Sequence, residues 1–440
     1  MAINRRQFIK RSAGAVSVGL LLPKYWVGGL ANAQQVSASN RKIFVVVQMG
    51  GGNDGLNTVI PFTDSRYAAL RPNLAFKEAE LKDASGNSTI LGSDPFGLNP
   101  AMSEMKALYD ASKVAIVMGV GYPSANLSHF LSTDIWGSAN LTGAGTGWLG
   151  RYADQQLLGH SGLSAINIGG SLPKAFFANK VVIPSIQTFA SYTFQTDGRN
   201  AGDRTNQLNT FHATNMRDFP VGSFAGALAD AGVDAADGAD QLGAAVGGYT
   251  SSVHYPVAGD NPAPSQQIIQ FGNAMKMVAQ IVTTIADANL LYVQIGGFDH
   301  HSQEYGSAAD NFTNKTIGQH PNLLKAVSLG IKLFLDDMRE HGLEDNVVVM
   351  TWSEFARRPN ENASRGTDHG TAAPLFVVGN PVLGGKIYGQ QPSLTDLDNA
   401  GNLKFNVDFR SVYATILDKW LGGNSQSILN GNFGNVGFLG

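Results

Sequence analysis

Four short apolar runs, each followed at once by polar residues, constrain the fold of this chain most strongly. Runs of this length that are rich in β-branched residues and bounded by turn signals are typical of strands buried on both faces, as in parallel sheets. Segments with helical spacing of apolar residues lie between them. The pattern predicts an α/β fold with a mostly parallel sheet flanked by helices. The runs are Ile43 to Met49, Val114 to Val120, Leu290 to Ile295 and Val347 to Met350.

The polar residues after these runs carry the candidate chemistry. In open α/β sheets, ligands bind beyond the carboxyl ends of the strands. Because parallel strands bring those ends to one edge, groups that are far apart in sequence are expected to meet there. The groups are Asn53 with Asp54, Ser128 with His129, Asp299 with His300 and His301, and Ser353 with Glu354, and the loop with Asp368 and His369 joins them.

Two of these groups also have ordinary structural interpretations. In the turn from Gly50 to Gly55, Asp54 could simply stabilise the turn by hydrogen bonds to the backbone, which is common. The alternative is a site role, in which the glycines let the backbone approach a ligand beside Asp54. Ser128 opens a predicted helix through Trp136, where a Ser caps the N-terminus without any chemistry. A hydroxyl at a helix N-terminus is also well placed as a nucleophile, because the helix dipole stabilises an oxyanion.

The acids and imidazoles together indicate a metal site. Carboxylates with two or three imidazoles suit Zn²⁺ or Mn²⁺, and Mg²⁺ or Ca²⁺ would be preferred where oxygen ligands dominate. Two metals about 4 Å apart would stabilise the attacking and leaving oxygens of an in-line displacement. Arg357 and Arg358 follow closely, and they either bind an anionic oxyacid bidentately or form surface salt bridges.

The N-terminal segment is predicted to be a targeting signal. Asn4 to Lys10 looks like a twin-arginine motif, Ala13 to Leu22 is apolar but too short to span a bilayer comfortably, and Ala31 to Ala33 fits a cleavage site. An ordinary secretory signal with a chance arginine pair is the alternative. We expect the twin-arginine export machinery to recognise residues 1–33, which would leave a periplasmic or secreted protein.

Composition excludes several classes of protein. The 440-residue chain has no Cys, which excludes disulfides, thiolate metal sites and a cysteine nucleophile. A formal charge of −3 without a long basic run argues against a nucleic-acid partner, and no later run is long enough for a transmembrane span. Residues 34–440 are expected to form a single domain with an irregular cap inserted at about 159–264. Residues 61–100 are expected to be irregular surface followed by turns.

Six segments together resemble the bacterial domain of unknown function 1501, and they cover essentially the whole mature chain. That family looks like a branch of the alkaline phosphatase superfamily, whose members share a doubly wound α/β fold with a two-metal site. The resemblance implies an alkaline phosphatase-like fold here and an anionic phosphate or sulfate ester as substrate. The segments are GGGNDGLNTVIPF, GYPSANLSHFLSTDIW, TGWLGRY, GGFDHHSQ, TWSEFARRPNENASRGTDHGTAAPLFVVG and DFRSVYATILDKWLG.

The resemblance also implies roles for individual residues. Asp54 matches the metal ligand after the first strand, and Ser128 matches the nucleophile, with Ser124 as the fallback. Glu354 stands where superfamily members usually have Asp-His, so the site is expected to hold one metal, two metals or none. In the two-metal version, Asp54 and Glu354 hold one ion.

The second ion in that version has ligands from the middle and the end of the chain. Asp299 matches the Asp after a middle strand, and the partner His falls on His301 or, as the alternative, on His300. His369 matches the last histidine ligand. His129, Asn53, Asp368 and Arg357 are additional candidates around these ligands.

Two functions from different classes follow from the sequence. The first is an exported, metal-dependent hydrolase of phosphate or sulfate esters in which Ser128 attacks the substrate. The second is a non-catalytic envelope protein that keeps the fold as a binding or assembly module, for instance for glycans.

Overall fold

The computed structural model describes residues 41–192 and 223–440, together with a few positions between 206 and 213. The predicted signal at residues 1–33 and part of the predicted cap lie outside the described residues, so both stay predictions. Among the described helices, none is long and apolar enough to cross a membrane.

The strands follow the apolar runs of the sequence closely. Each of the four predicted strands is present within two residues of its expected bounds, and each is buried along its whole length except for Gln294 in the third. In chain order the strands are β1 Ile43–Met49, β2 Val59–Ile60, β3 Gly97–Leu98, β4 Val114–Gly121, β5 Ala165–Ile168, β6 Ser185–Ile186, β7 Leu290–Ile295, β8 Val347–Trp352, β9 Ala356–Glu361, β10 Thr367–Gly370, β11 Ala373–Val378, β12 Lys386–Gly389 and β13 Val407–Asp408.

In the described part of the chain, nine strands form one central sheet in the order β12-β4-β11-β8-β1-β7-β5-β6, with β13 beside β4. β11 pairs antiparallel with β4 and β8, whereas the other pairs in this sheet are parallel. In the centre, Val45 of β1 faces Leu291 of β7 and Val349 of β8. The carboxyl ends of β1, β4, β7 and β8 therefore lie at one edge of the sheet, where β11 begins.

Helices cover both faces of the sheet. They are α1 Ser65–Leu70, α2 Ser103–Asp110, α3 His129–Ser138, α4 Trp148–Gln156, α5 Phe224–Gly248, α6 Gln266–Thr284, α7 Gln319–Glu340, α8 Phe409–Ile416 and α9 Ser425–Leu429.

Alternate residues of β1 contribute to two separate hydrophobic cores, as the two-residue period of a strand requires. Val45 packs in the core formed with α2, α6 and α7, and Val46 packs in the core formed with α3, α4 and α8. Because helices pack on both faces of a mostly parallel sheet, the predicted doubly wound α/β fold is confirmed.

Residues 61–100 and the region at about 159–264 differ from what the sequence predicts. Residues 61–100 are not merely irregular surface, because they contain α1 and supply Tyr67, Leu74 and Phe76 to a third buried apolar cluster. The region expected as a cap contains β5 and β6, which extend the central sheet. Its description as a separate insertion stays a prediction.

Candidate metal centre

Three histidines and one aspartate meet at the carboxyl edge of the sheet, and we call them the central cluster. His129 is the first residue of α3, Asp299 and His301 follow β7, and His369 lies in β10. Asp299 Oδ1 is 3.1 Å from both His301 Nε2 and His369 Nε2, and Asp299 Oδ2 is 3.5 Å from His129 Nε2. The four side chains are between 21% and 47% exposed, so the cluster is open to a ligand from solvent.

Each histidine of the central cluster has an acceptor on its other ring nitrogen. The Nδ1 atom of His129 is 2.8 Å from Glu354 Oε1, that of His301 is 3.3 Å from Asp368 Oδ1, and that of His369 is 2.9 Å from the Leu127 carbonyl oxygen. Carbonyl and carboxylate oxygens only accept. Each Nε2 atom also faces a carboxylate oxygen, of Asp299, so its lone pair is free for a cation when the proton of the neutral ring lies on Nδ1. Metal-binding histidines are oriented in this way.

The Nε2 atoms of His301 and His369 lie only 2.9 Å apart. With both Nδ1 atoms protonated, two neutral rings would direct lone pairs at each other across this distance. Either a proton or a cation between the rings removes the repulsion. The contact therefore favours a positive species at this point.

Glu354 orients His129 through the contact with His129 Nδ1, on the side of the ring away from Asp299. The Glu354 carboxylate is 2% exposed, and its Oε1 atom also accepts a hydrogen bond of 2.8 Å from the backbone N–H of Gly51. The same turn after β1 is bound to the neighbouring Ser353, whose Oγ accepts from the Asn53 N–H at 3.0 Å and donates to the Met49 carbonyl oxygen at 2.6 Å. Glu354 therefore supports a ligand of the cluster through a hydrogen bond.

Arg357 lies beneath the cluster. Only 1% of the residue is exposed, so a surface salt bridge, one of the two alternatives for it, is wrong. All three guanidinium nitrogens already donate to oxygens of the protein, which disfavours the other alternative, bidentate binding of an oxyacid. Arg357 Nη2 is 2.5 Å from Asp299 Oδ1, and the backbone acceptors are the carbonyl oxygens of Gly51, Gly52, Phe298 and Thr367.

This ion pair changes the protonation of Asp299. Partial burial alone would raise the pKa of the carboxyl group, but the hydrogen bond and the charge of Arg357 outweigh it and lower the pKa to about 2. Burial also lowers the pKa of His369. An ionised carboxylate beside a neutral imidazole is the state that binds a cation.

Asp54 and Asn53 lie in a second group, which we call the buried polar cluster, together with Arg71, Glu304 and His320. Both oxygens of Asp54 are bound by Arg71, at 2.5 Å from Nη1 and 2.9 Å from Nη2, and both side chains are no more than 1% exposed. Arg71 also donates to the carbonyl oxygens of Arg358 and Pro359, at 2.9 and 2.8 Å. The arginine therefore occupies the oxygens that the resemblance assigns to a metal.

The other members of the buried polar cluster are held in their neutral forms. Burial and the charge of Asp54 raise the pKa of Glu304 well above its usual range. Burial lowers the pKa of His320 to about 3. His320 Nε2 is 3.0 Å from Asn53 Oδ1, and His320 Nδ1 is 3.3 Å from Glu304 Oε1.

The remaining candidates divide between surface and interior. Ser128 stands at the N-cap position of α3 and is exposed, but its side chain makes no capping hydrogen bond. Ser124 is exposed in the preceding loop, with φ of 54°. Asp368 is exposed and bound to His301, whereas His300 is 3% exposed and burial lowers its pKa to about 4. Of the two histidines after Asp299, His301 is the one in the central cluster.

Sequence reasoning missed Arg71, Glu304 and His320, and it gave His129 only a secondary place. Arg71 and Glu304 lie in loops without a distinctive motif, and their pairing with Asp54 spans 17 and about 250 residues. His129 had a usable signal, since it directly follows the turn after a buried strand. The predicted roles of Asp54 and Glu354 as direct metal ligands stay predictions, now with competing partners on both.

The donor set of the central cluster fits a divalent cation. The ligand atoms of His129, Asp299 and His369 all lie within 4.8 Å of one another, and His301 Nε2 adjoins two of these residues. Imidazole nitrogens with one carboxylate oxygen suit Zn²⁺ and are also compatible with Mn²⁺. The hydrogen bonds on the three Nδ1 atoms complete the arrangement expected around such an ion.

Comparison with solved structures gives several partial matches. A sulfatase from a Pseudoalteromonas species has a TM-score of 0.39 and 12% identity, covering 92% of this chain and 73% of that chain. A protein of the alkaline phosphatase superfamily from Vibrio parahaemolyticus has a TM-score of 0.33 and 9% identity, covering 80% and 62%. The phosphonate monoester hydrolase of Agrobacterium radiobacter has a TM-score of 0.36 and 8% identity, covering 89% and 78%.

Because these TM-scores are below 0.5, no residue role is carried over from these structures. A search of curated proteins found no match. The family described as "Protein of unknown function (DUF1501)" matches residues 41–434, which is most of the chain and includes both the central cluster and the buried polar cluster. The chain therefore belongs to the DUF1501 family.

Proposed function

We propose that this protein is a metal-dependent hydrolase of phosphate or sulfate esters, with the central cluster as its cation site. The contact of 2.9 Å between the Nε2 atoms of His301 and His369 carries the proposal, because a cation between the rings removes their repulsion. The Nδ1 partners support it, since they direct all three Nε2 atoms toward Asp299. Zn²⁺ and Mn²⁺ are the ions that suit these donors.

A bound divalent cation would polarise an oxygen of the substrate oxyacid. The chain's own groups would prepare the site for it. Glu354 and the Leu127 carbonyl fix the rings of His129 and His369, so that neither ligand has to reorient. Arg357 keeps Asp299 ionised through the ion pair that lowers its pKa.

Ser128 is our proposed nucleophile. Its hydroxyl is exposed at the N-terminus of α3, next to His129, and is not used to cap the helix. Attack of Oγ on the phosphorus or sulfur atom would form a new ester bond and release the substrate alcohol. Water would then release the oxyacid and restore the hydroxyl group. The helix dipole would favour the anionic oxyacid at this position.

The proposal includes export by the twin-arginine route to the periplasm or the medium. It rests on the N-terminal sequence alone, from the arginine pair at Arg5 and Arg6 to Ala33. A fusion of residues 1–40 to a reporter that folds before export would test it. Replacing both arginines with lysine should keep the reporter inside the cell.

The enzymatic proposal is tested with metal-depleted protein reloaded with Zn²⁺ or Mn²⁺ and a panel of aryl phosphate and sulfate esters. We expect turnover only after reloading. Ser128→Ala should abolish turnover while leaving cation binding unchanged, and Ser124→Ala, in the same exposed loop, should keep both. Bound cation without turnover of any ester would instead favour the non-catalytic binding function.

A further inference from the structure

Resemblance to the alkaline phosphatase superfamily implies two metal ions. In this chain the central cluster has the donors for a cation, but in the buried polar cluster both oxygens of Asp54 are already bound by Arg71. The two-metal version assigns one ion to Asp54 and Glu354. In the structure both side chains are buried and already bound by donors of the protein itself. The position of a second ion is therefore the point at which this chain departs from the resemblance.

Arg71 binds Asp54 as a cation would. Its guanidinium contacts both carboxylate oxygens, at 2.5 and 2.9 Å, and the pair is completely enclosed. Arg71 also donates to the carbonyl oxygens of Arg358 and Pro359 in β9, which fixes the guanidinium in place. Displacing it with a metal would leave a buried, unpaired arginine, which is strongly unfavourable.

Glu354, the other ligand of that ion, is also occupied. Its Oε1 atom accepts from His129 Nδ1 and from the Gly51 N–H, both at 2.8 Å, and Ser353 Oγ is 3.4 Å from its Oε2 atom. A metal on this carboxylate would compete with the hydrogen bond that orients His129. That competition would weaken the central cluster itself.

The charges agree with a single ion. Around the central cluster, Asp299, Glu354 and Asp368 contribute three negative charges, and Arg357 and Arg358 contribute two positive charges, which leaves −1 with neutral histidines. One divalent cation brings this total to +1, whereas two would bring it to +3. The pair of Asp54 and Arg71 is neutral by itself, so a second cation there would add an uncompensated buried charge.

We infer that this protein binds one divalent cation per chain, at the central cluster, and that Arg71 supplies the fixed positive charge in place of a second metal. This inference rests on the proposed cation site and adds its stoichiometry. Asp54 is then a partner of Arg71 that holds the turn after β1, and it does not touch the ion.

The test is the number of metal ions bound per folded chain, measured by elemental analysis of the full-length protein after equilibration with Zn²⁺ and gel filtration. We expect one ion in the wild-type protein and none in Asp299→Asn. A neutral replacement of the buried pair, Asp54→Asn with Arg71→Gln, should still bind one ion with an affinity within about threefold of wild type.

A second variant covers the case in which the double replacement does not fold. Glu304→Gln keeps the shape of a side chain beside Asp54 and should also bind one ion. Two ions in the wild-type protein, with one lost in either variant, would overturn the inference and leave the proposed hydrolase intact. No bound ion in the wild-type protein would overturn both.

Discussion

At the scale of single residues, the protonation of three histidines decides what the site can do. Each Nδ1 atom faces an oxygen that only accepts, so a ring that carries its proton on Nδ1 donates there and presents the lone pair of Nε2 to the central cluster. With the proton of each ring on Nδ1, His301 and His369 could not remain at 2.9 Å without a positive species between them. The same residues in other tautomers would form an ordinary hydrogen-bonded surface group.

Replacing Glu354 tests this orientation. Glu354→Gln keeps an acceptor near His129 Nδ1 but loses the negative charge, so the affinity for Zn²⁺ should fall by about 10- to 100-fold. Asp260→Asn is a matched control, because Asp260 also binds a histidine, His254, away from the cluster. Isothermal titration calorimetry measures both. If the affinity of Glu354→Gln were unchanged, the contact between Glu354 and His129 would not contribute to metal binding.

His320 gives the protein a predictable pH dependence. Burial lowers its pKa to about 3 in the folded chain, whereas the unfolded chain has the ordinary value of 6.5. Below pH 6.5 the unfolded state therefore binds one more proton, and the free energy of unfolding falls as the pH falls toward 3. This single group should remove about 2 kcal/mol between pH 6.5 and pH 5.

Urea unfolding of the wild-type protein and of His320→Gln, followed by circular dichroism at pH 7 and pH 5, measures this contribution. The variant is expected to be less stable at pH 7 and to lose less stability between the two pH values. If both proteins lost the same amount, the neutral, buried state of His320 would be wrong.

At the scale of elements, the parallel strands could be predicted from sequence and the contacts between distant loops could not. The apolar runs at β1, β4, β7 and β8 are continuous, so their burial and their common edge follow from local pattern. The common edge led us to expect Asp299, His301 and His369 near one another, and the structure brings them together. The hairpin of β9 and β10 and the pairing of Arg71 with Asp54 depend on long-range packing that leaves no period in the sequence.

The turn that follows β1 requires glycine at position 52, because a side chain there would meet a neighbouring ring. Gly52 has φ of +76°, and a Cβ atom there would lie 2.3 Å from the ring of Phe355, which packs against His129 and His369 with ring centroids 4.7 and 4.4 Å away. Gly52→Ala should therefore displace Phe355 and lower the affinity for Zn²⁺.

Gly86→Ala is the matched control for this substitution. Gly86 has a similar φ of +84°, but a Cβ atom there would meet no atom within 4 Å. Both variants should lose about 1–2 kcal/mol of stability from backbone strain, and only Gly52→Ala should lose metal affinity. Equal affinity in the two variants would contradict the role of Phe355 as a support for the histidines.

At the scale of the whole molecule, the site joins segments from across the chain. The central cluster takes residues that follow β4 and β7 and one from β10, and Arg357 of β9 binds the turn after β1. A cation bound to the folded protein alone would therefore stabilise the whole fold by mass action. At a concentration 100-fold above its dissociation constant, the gain is about 2.7 kcal/mol.

Thermal unfolding with and without a chelator measures this linkage. Removing the cation should lower the Tm of the wild-type protein by a few degrees, and adding Zn²⁺ should restore it. Asp299→Asn should show neither change. A wild-type Tm that is insensitive to the chelator and to added Zn²⁺ would separate folding of the domain from cation binding.

The most direct test of the cation site is anomalous diffraction from crystals grown with Zn²⁺ and measured on both sides of the zinc absorption edge. We predict one strong peak within about 2.0–2.2 Å of Asp299 and of the Nε2 atoms of His129, His301 and His369. Crystals of fully loaded protein with no peak at these atoms, or with the peak elsewhere, would contradict the proposed centre.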